Sequence, residues 1–119
     1  MTVTGQVVHV AQTLDWLREG GFDGVWKMEF EAMAKEGAQV KSLAQARQML
    51  ADAWGRFFAV IDGTTDEVLA AEMPANPIMQ GPRYEVIGGV VDHTAHHRGA
   101  LAVYARLQGK TPAMPYGEG

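Results

Sequence analysis

The sequence of 119 residues contains no cysteine. This absence excludes disulfide bonds, thiolate zinc sites and cysteine nucleophiles. Basic residues are also few: 10 Lys and Arg stand against 14 Asp and Glu, a formal net charge of −4. Nucleic-acid binding requires a basic surface, so no nucleic-acid partner is expected. No apolar run approaches the roughly 18 residues of a membrane span. The N-terminal segment lacks a signal-type start, so we expect a cytoplasmic protein with no membrane partner.

Apolar residues recur at spacings of three and four along most of the chain, which predicts an all-helical protein. The first helix is expected from about Thr4 to Arg18. Its apolar stripe contains Val3, Val7, Val10, Leu14 and Leu17. Gly20-Gly21 is expected to stop this helix. A short helix or an ordered loop follows and closes at Gly37.

Capping signals set the limits of the later helices. The residues from Ser42 to Gln45 match a capping box, which starts a helix that ends at Asp62-Gly63. Thr64 to Glu67 match a second box, for a turn or two of helix. Pro82 is expected at the first position of the last helix, where its missing N–H costs nothing, and this helix should reach Gln108.

These elements predict one helical domain over residues 1–109 and an extended tail over residues 110–119. The domain would contain three substantial helices with long connections. Such helices form an open layer more readily than a closed bundle.

The last predicted helix carries an unusual group of histidines. His93 and His97 are four residues apart, so they project from one helical face, at core positions where aliphatic side chains would pack better. Buried imidazole nitrogens need partners, and a shared metal ion would satisfy one nitrogen of each ring. His9 lies on the flank of the first apolar stripe. It can complete a three-nitrogen site if the first and last helices pack side by side. The competing interpretation is a set of hydrogen-bonded core histidines.

Three histidine ligands leave coordination positions open for water or substrate, as in catalytic zinc sites. Imidazole ligands also suit nickel, iron and copper, so the sequence predicts a divalent metal without identifying it. Asp92 could orient a ligand histidine, and Arg98 could hold an anionic group or form a surface salt bridge. His96 faces about a hundred degrees away on the helix and is interpreted as a hydrogen-bonding edge residue. Trp16 shares a face with the first-helix histidine, although the aromatic residues are interpreted mainly as core.

Two sequence segments together resemble the DinB-like family of damage-inducible, metal-dependent four-helix-bundle proteins. They are HTAHHRGAL at residues 93–101 and VVHVAQTLDWL at residues 7–17. The resemblance implies a divalent metal held by His9, His93 and His97, with Arg98-Gly99 as the trailing signature. It also implies frequent homodimers and, in some relatives, thiol-dependent S-transfer or isomerisation with a low-molecular-weight thiol such as bacillithiol or mycothiol.

The sequence departs from the family pattern in two ways. Ala100 stands where the family usually has Gln, and the chain begins almost at the segment that carries His9, which the family's first helix normally precedes. We therefore expect a shortened up-down bundle that is completed by oligomerisation, as a homodimer or a larger homo-oligomer. Two functions stay open: a metal-dependent transferase or hydrolase, and a non-catalytic helical oligomer that keeps the fold.

Overall fold

A computed structural model gives the structure of the protein over residues 1–116. Helices dominate this part of the chain, and no strand longer than an isolated bridge occurs in it. The all-helical fold predicted from the sequence is therefore confirmed. The helices are α1 (Val3–Arg18), α2 (Phe30–Ala38), α3 (Leu43–Gly63), α4 (Asp66–Ala70) and α5 (Tyr84–Leu107). The end of the predicted tail, residues 117–119, lies outside the described residues.

The α-helix ends at Arg18, as predicted. Gly20-Gly21 do not stop the helical path, however, so that part of the prediction is wrong. The chain continues in a π turn, Glu19–Asp23, and leaves it at Gly24, whose φ of 73° is the left-handed conformation that favours glycine. The two earlier glycines are buried. A Cβ atom at Gly20 would lie 2.3 Å from the ring of Trp26, so this glycine serves close packing rather than helix termination.

The N-terminal caps of α3 and α4 are side-chain hydroxyl groups, as predicted. The cap of α3 lies at the predicted residue, whereas the cap of α4 lies one residue later. Ser42 Oγ accepts a hydrogen bond from the backbone N–H of Gln45 at 3.1 Å, as the capping box predicts. For α4, the cap is Thr65 rather than Thr64: its hydroxyl oxygen accepts from the backbone N–H of Val68 at 3.2 Å. Adjacent threonines offer the same side-chain acceptor, so the pattern alone could not choose between them.

The last helix begins at Tyr84, two residues after the predicted position of Pro82. Pro82 instead pairs with Glu72 in an antiparallel bridge. Backbone hydrogen bonds of 3.0 Å on either side, from Met73 to Gly81 and from Arg83 to Ala71, hold this loop closed. These long-range bonds keep the proline extended, which sequence spacing could not indicate.

Helix α1 is central, because it packs against α2, α3 and α5. The main core cluster joins α1, α3 and α5 to the loop before α5: Ala11, Leu14, Leu17, Ala53, Phe57, Met73, Val86 and Val90. The predicted stripe of α1 is buried from Val7 onward, whereas Val3 is 42% exposed.

None of the helices in residues 1–116 combines the length and the apolar character needed to cross a membrane. The chain after α5 is not helical up to Tyr116, whose hydroxyl accepts a hydrogen bond from Arg98 at 2.8 Å. The division of the chain at residue 109 stays a prediction, as does completion of the bundle by oligomerisation.

Candidate metal centre

Three imidazoles converge where α1 packs beside α5. His9 comes from α1, and His93 and His97 come from successive turns of α5; one nitrogen of each lies within 4.8 Å of the others. The Nε2 atoms of His9 and His93 are 3.1 Å apart, which is also a hydrogen-bonding distance when one of them carries the proton. Two nitrogens bound to one tetrahedral zinc at the usual Zn–N distance would be about 3.3 Å apart. The side-by-side packing that the sequence argument required is therefore present, and it brings all three predicted ligands together.

The third imidazole is oriented by a residue that the sequence argument did not consider. Nδ1 of His97 donates a hydrogen bond to Oε1 of Gln6 at 2.8 Å. Gln6 is only 4% exposed, and it lies one turn before His9 on α1. Because Nδ1 carries the proton, Nε2 of His97 keeps its lone pair for a ligand. The sequence feature that could have indicated this role is a polar residue, Gln6, three residues before the candidate ligand His9 and on the helix that carries it.

The surroundings of all three imidazoles favour the neutral form. Burial lowers the pKa of His9, His93 and His97 below its ordinary value. The largest effect is on His93, where burial first and then the charges of His97, His9 and His96 lower the pKa to about 4, against a small opposing effect of Asp92. Neutral imidazole is the form that binds metal ions, so at neutral pH the group is ready to bind one without losing protons.

Two neighbours on α5 take different positions. His96 is exposed, and its ring meets the His97 ring edge-on with centroids 5.0 Å apart, outside the three-histidine group. Its expected role as a hydrogen-bonding residue at the edge of the stripe stays a prediction. Asp92 is also exposed and acts on His93 through its charge. Its role in orienting a ligand stays a prediction.

Arg98 and Trp16 lie on different sides of the centre. The Arg98 guanidinium faces the tail, with its carbon 5.0 Å from the centroid of the Tyr116 ring. Its predicted role as an anion anchor stays a prediction. Trp16 is half-buried and borders a cavity that His9 and His93 also line. This position agrees with the predicted shared face of Trp16 and His9.

The donor set fits a divalent metal, because three neutral nitrogen donors converge and one of them has its tautomer set by Gln6. The protein is therefore a helical protein with a candidate three-histidine metal centre, which lies between its first and last long helices, α1 and α5. The chain belongs to the DinB family, whose family model matches residues 1–119. No curated protein matches the chain, and no solved structure matches it.

Proposed function

We propose that this DinB-family protein is a divalent-metal-dependent enzyme that catalyses thiol-dependent S-transfer or hydrolysis. The observation that carries the proposal is the convergence of His9, His93 and His97, with two Nε2 atoms 3.1 Å apart. Partly buried imidazoles with a buried glutamine behind one of them are expensive to assemble for packing alone. Membership of the family supports the same conclusion, and S-transfer is preferred over hydrolysis by that resemblance.

The chain's own residues would do three things in this chemistry. His9, His93 and His97 would hold the metal, which supplies a Lewis acid that lowers the pKa of a coordinated water or thiol. Burial lowers the pKa of these imidazoles and so favours the unprotonated form, and Gln6 holds the ring of His97 in one orientation. Three protein ligands leave positions for substrate. The proposal includes a cytoplasmic location, where low-molecular-weight thiols stay reduced.

The decisive experiment is the metal content per chain, measured by elemental mass spectrometry on protein purified without a His tag. The variants are His97→Ala and the matched control His96→Ala, one residue earlier on the same helix. We expect near-stoichiometric metal in the wild type and in the control, and loss of metal in His97→Ala. Absence of metal from all three proteins would contradict the proposal, especially if His97→Ala is more stable than the wild type.

The reaction class requires a second experiment on the metal-loaded protein. A thiol and an electrophile such as a chlorinated arene would test S-transfer, and an activated ester without thiol would test hydrolysis. We expect turnover that requires the metal and is lost in His93→Ala. Stoichiometric metal without turnover in either assay would favour the non-catalytic alternative.

The alternative, a helical homo-oligomer, is favoured by an apolar groove of about 840 Å³. It lies where the N-terminal ends of α1 and α3 meet the C-terminal end of α5. Met1, Leu43 and Leu107 line this groove and are 72%, 43% and 76% exposed. Large exposed apolar surfaces usually mark interfaces, and a second copy of the chain is the proposed partner.

Sedimentation equilibrium of the wild type, Leu107→Lys and Val91→Lys tests this alternative. Val91 is also exposed on α5, at 60%, but does not line the groove. We expect a dimer that dissociates only in Leu107→Lys. A monomeric wild type at micromolar concentration would contradict it.

A further inference from the structure

A cavity of about 370 Å³ opens beside the metal centre, between α1 and α2. His9 and His93 form one end of it, and Trp16, Phe30 and Met33 form its apolar walls. A group placed in this cavity therefore lies next to two of the three candidate ligands. The centre therefore borders a partly open cavity.

The walls of the cavity are tied to α1 by two hydrogen bonds. Trp16 Nε1 donates to the carbonyl oxygen of Lys27 at 2.6 Å, and Gln12 Nε2 donates to the carbonyl oxygen of Met33 at 2.8 Å. These bonds hold the segment before α2, and α2 itself, over the cavity. They also occupy the indole N–H of Trp16 and an amide donor of Gln12, so the walls offer mainly hydrocarbon faces to a ligand.

The size and the aromatic geometry favour a ring-shaped group. The volume is near the lower limit of small-molecule sites, which is about 300 Å³. Trp16 and Phe30 stand edge to face, with ring centroids 5.8 Å apart and an angle of 62°. Such an arrangement accepts a further ring in an offset or edge-to-face contact. A single ring bearing the reacting atom fits this space.

The surroundings disfavour a negatively charged group. Gln12, Trp16 and Met33 also border the next groove along α1. That groove carries four carboxylates and one ammonium group: Asp15, Glu19, Glu29, Glu36 and Lys27. Arg56 and Arg18 pair with Asp15, and Arg18 and Lys27 pair with Glu19, so these two carboxylates are neutralised. The main cost for a carboxylate on the ring would be its loss of hydration against the apolar walls.

We propose that the cavity bounded by Trp16, Phe30 and Met33 receives an uncharged, ring-sized apolar group of the substrate and holds its reacting atom beside His9 and His93. The position of the reacting atom beside the candidate metal ligands rests on the proposed function. Occupation of the cavity by the ring is a separate property, so the two can fail separately.

The test uses three probes on cobalt-loaded protein, in which the metal's visible absorption reports ligand binding. The probes are imidazole, 4-phenylimidazole and 4-(imidazol-4-yl)benzoate. We expect the phenyl group to tighten binding at least about tenfold, since aromatic contacts add to apolar burial, and the carboxylate to abolish that gain. The variants are Phe30→Ala and the matched control Phe58→Ala, because these exposed phenylalanines are 50% and 55% exposed.

The gain should disappear in Phe30→Ala and persist in Phe58→Ala. Equal affinity for imidazole and 4-phenylimidazole in the wild type would overturn the cavity proposal and leave the metal centre intact. If the protein takes up no divalent metal, cobalt included, the proposed function fails, and saturation-transfer NMR of 4-phenylimidazole with the metal-free protein decides the cavity proposal. Contact signals from the phenyl protons that are lost in Phe30→Ala would support it, and their absence from the wild type would overturn it.

Discussion

Oε1 of Gln6 accepts a hydrogen bond of 2.8 Å from Nδ1 of His97, although 91 residues separate the two in the chain. The bond joins the first turn of α1 to the middle of α5 at the metal centre. It fixes the tautomer of His97 and the plane of its ring. Gln6 therefore supports the centre from a buried position without being a candidate ligand itself.

We predict that Gln6→Leu weakens metal binding about 10–100-fold, the usual effect of removing a residue that orients a metal ligand. The substitution preserves apolar packing, so a loss of affinity would reflect the missing acceptor. Isothermal titration of the metal-free protein measures the affinity, and ¹⁵N NMR of the imidazoles reports the His97 tautomer. Gln48→Ala, at an exposed position of α3, should change neither quantity. Wild-type affinity with an unchanged tautomer in Gln6→Leu would contradict the role given to Gln6.

The metal-free protein should lose stability as the pH falls from about 6.5 to about 4. In this interval the unfolded chain protonates His93 near its ordinary pKa, whereas the folded protein keeps it neutral down to a pKa of about 4. The unfolded state then binds more protons, so the free energy of unfolding decreases as the pH falls. Urea unfolding in chelator across this pH range measures the slope, which should be smaller in His93→Gln. An equal slope in both proteins would show that His93 is not held neutral.

Gly21 and Gly55 should respond in opposite ways to substitution by alanine. A Cβ atom at Gly21 would lie 2.3 Å from Cγ2 of Val86, a fully buried residue of the core. Gly21→Ala should therefore cost about 1–3 kcal/mol through overpacking. A Cβ atom at Gly55, in the middle of α3, meets nothing within 4 Å, so Gly55→Ala should add up to about 1 kcal/mol of stability. Urea denaturation compares the two, and a neutral Gly21→Ala would contradict the close approach of the π turn to α5.

Arg56 joins α3 to α1 through Asp15, with hydrogen bonds of 2.9 and 2.7 Å to the two carboxylate oxygens. Burial alone would raise the pKa of Asp15, but the hydrogen bonds and charges of Arg56 and Arg18 outweigh it and lower the pKa below 3.8. We predict that Arg56→Ala costs about 0.5–1 kcal/mol at pH 7, the range for a partly exposed pair.

This cost should be present above about pH 4 and should shrink as the pH falls through the lowered pKa of Asp15, because a protonated carboxyl no longer pairs with Arg56. Unfolding at pH 7 and pH 3 measures the change. Lys35→Ala is the control, since its pair with Glu31 is 76% and 86% exposed and should show no measurable effect at either pH. A cost that stays constant with pH would mean that Arg56 acts through packing.

The local spacing of residues was sufficient to predict the long helices and the two histidines that α5 contributes to the site. Periodicity predicted α1, α3 and α5, because amphipathic spacing depends on residues three and four apart. The same local geometry placed His93 and His97 on one face of α5. Helix ends were less certain where a distant contact decides them, as at the π turn after α1 and at Pro82, whose bridge to Glu72 displaces the start of α5.

The sequence by itself determined the helical class and placed a pair of histidines, a residue type that binds metal ions, on one face of α5. Tertiary structure decided that Nε2 of His9, 84 residues away from His93, lies 3.1 Å from Nε2 of that residue, and that Gln6 bonds the ring of His97. It also decided that Trp16 and Phe30 enclose a cavity at the centre. These relationships depend on which helices pack together and at what rotation, and that is set by burial of the whole apolar surface rather than by any local spacing.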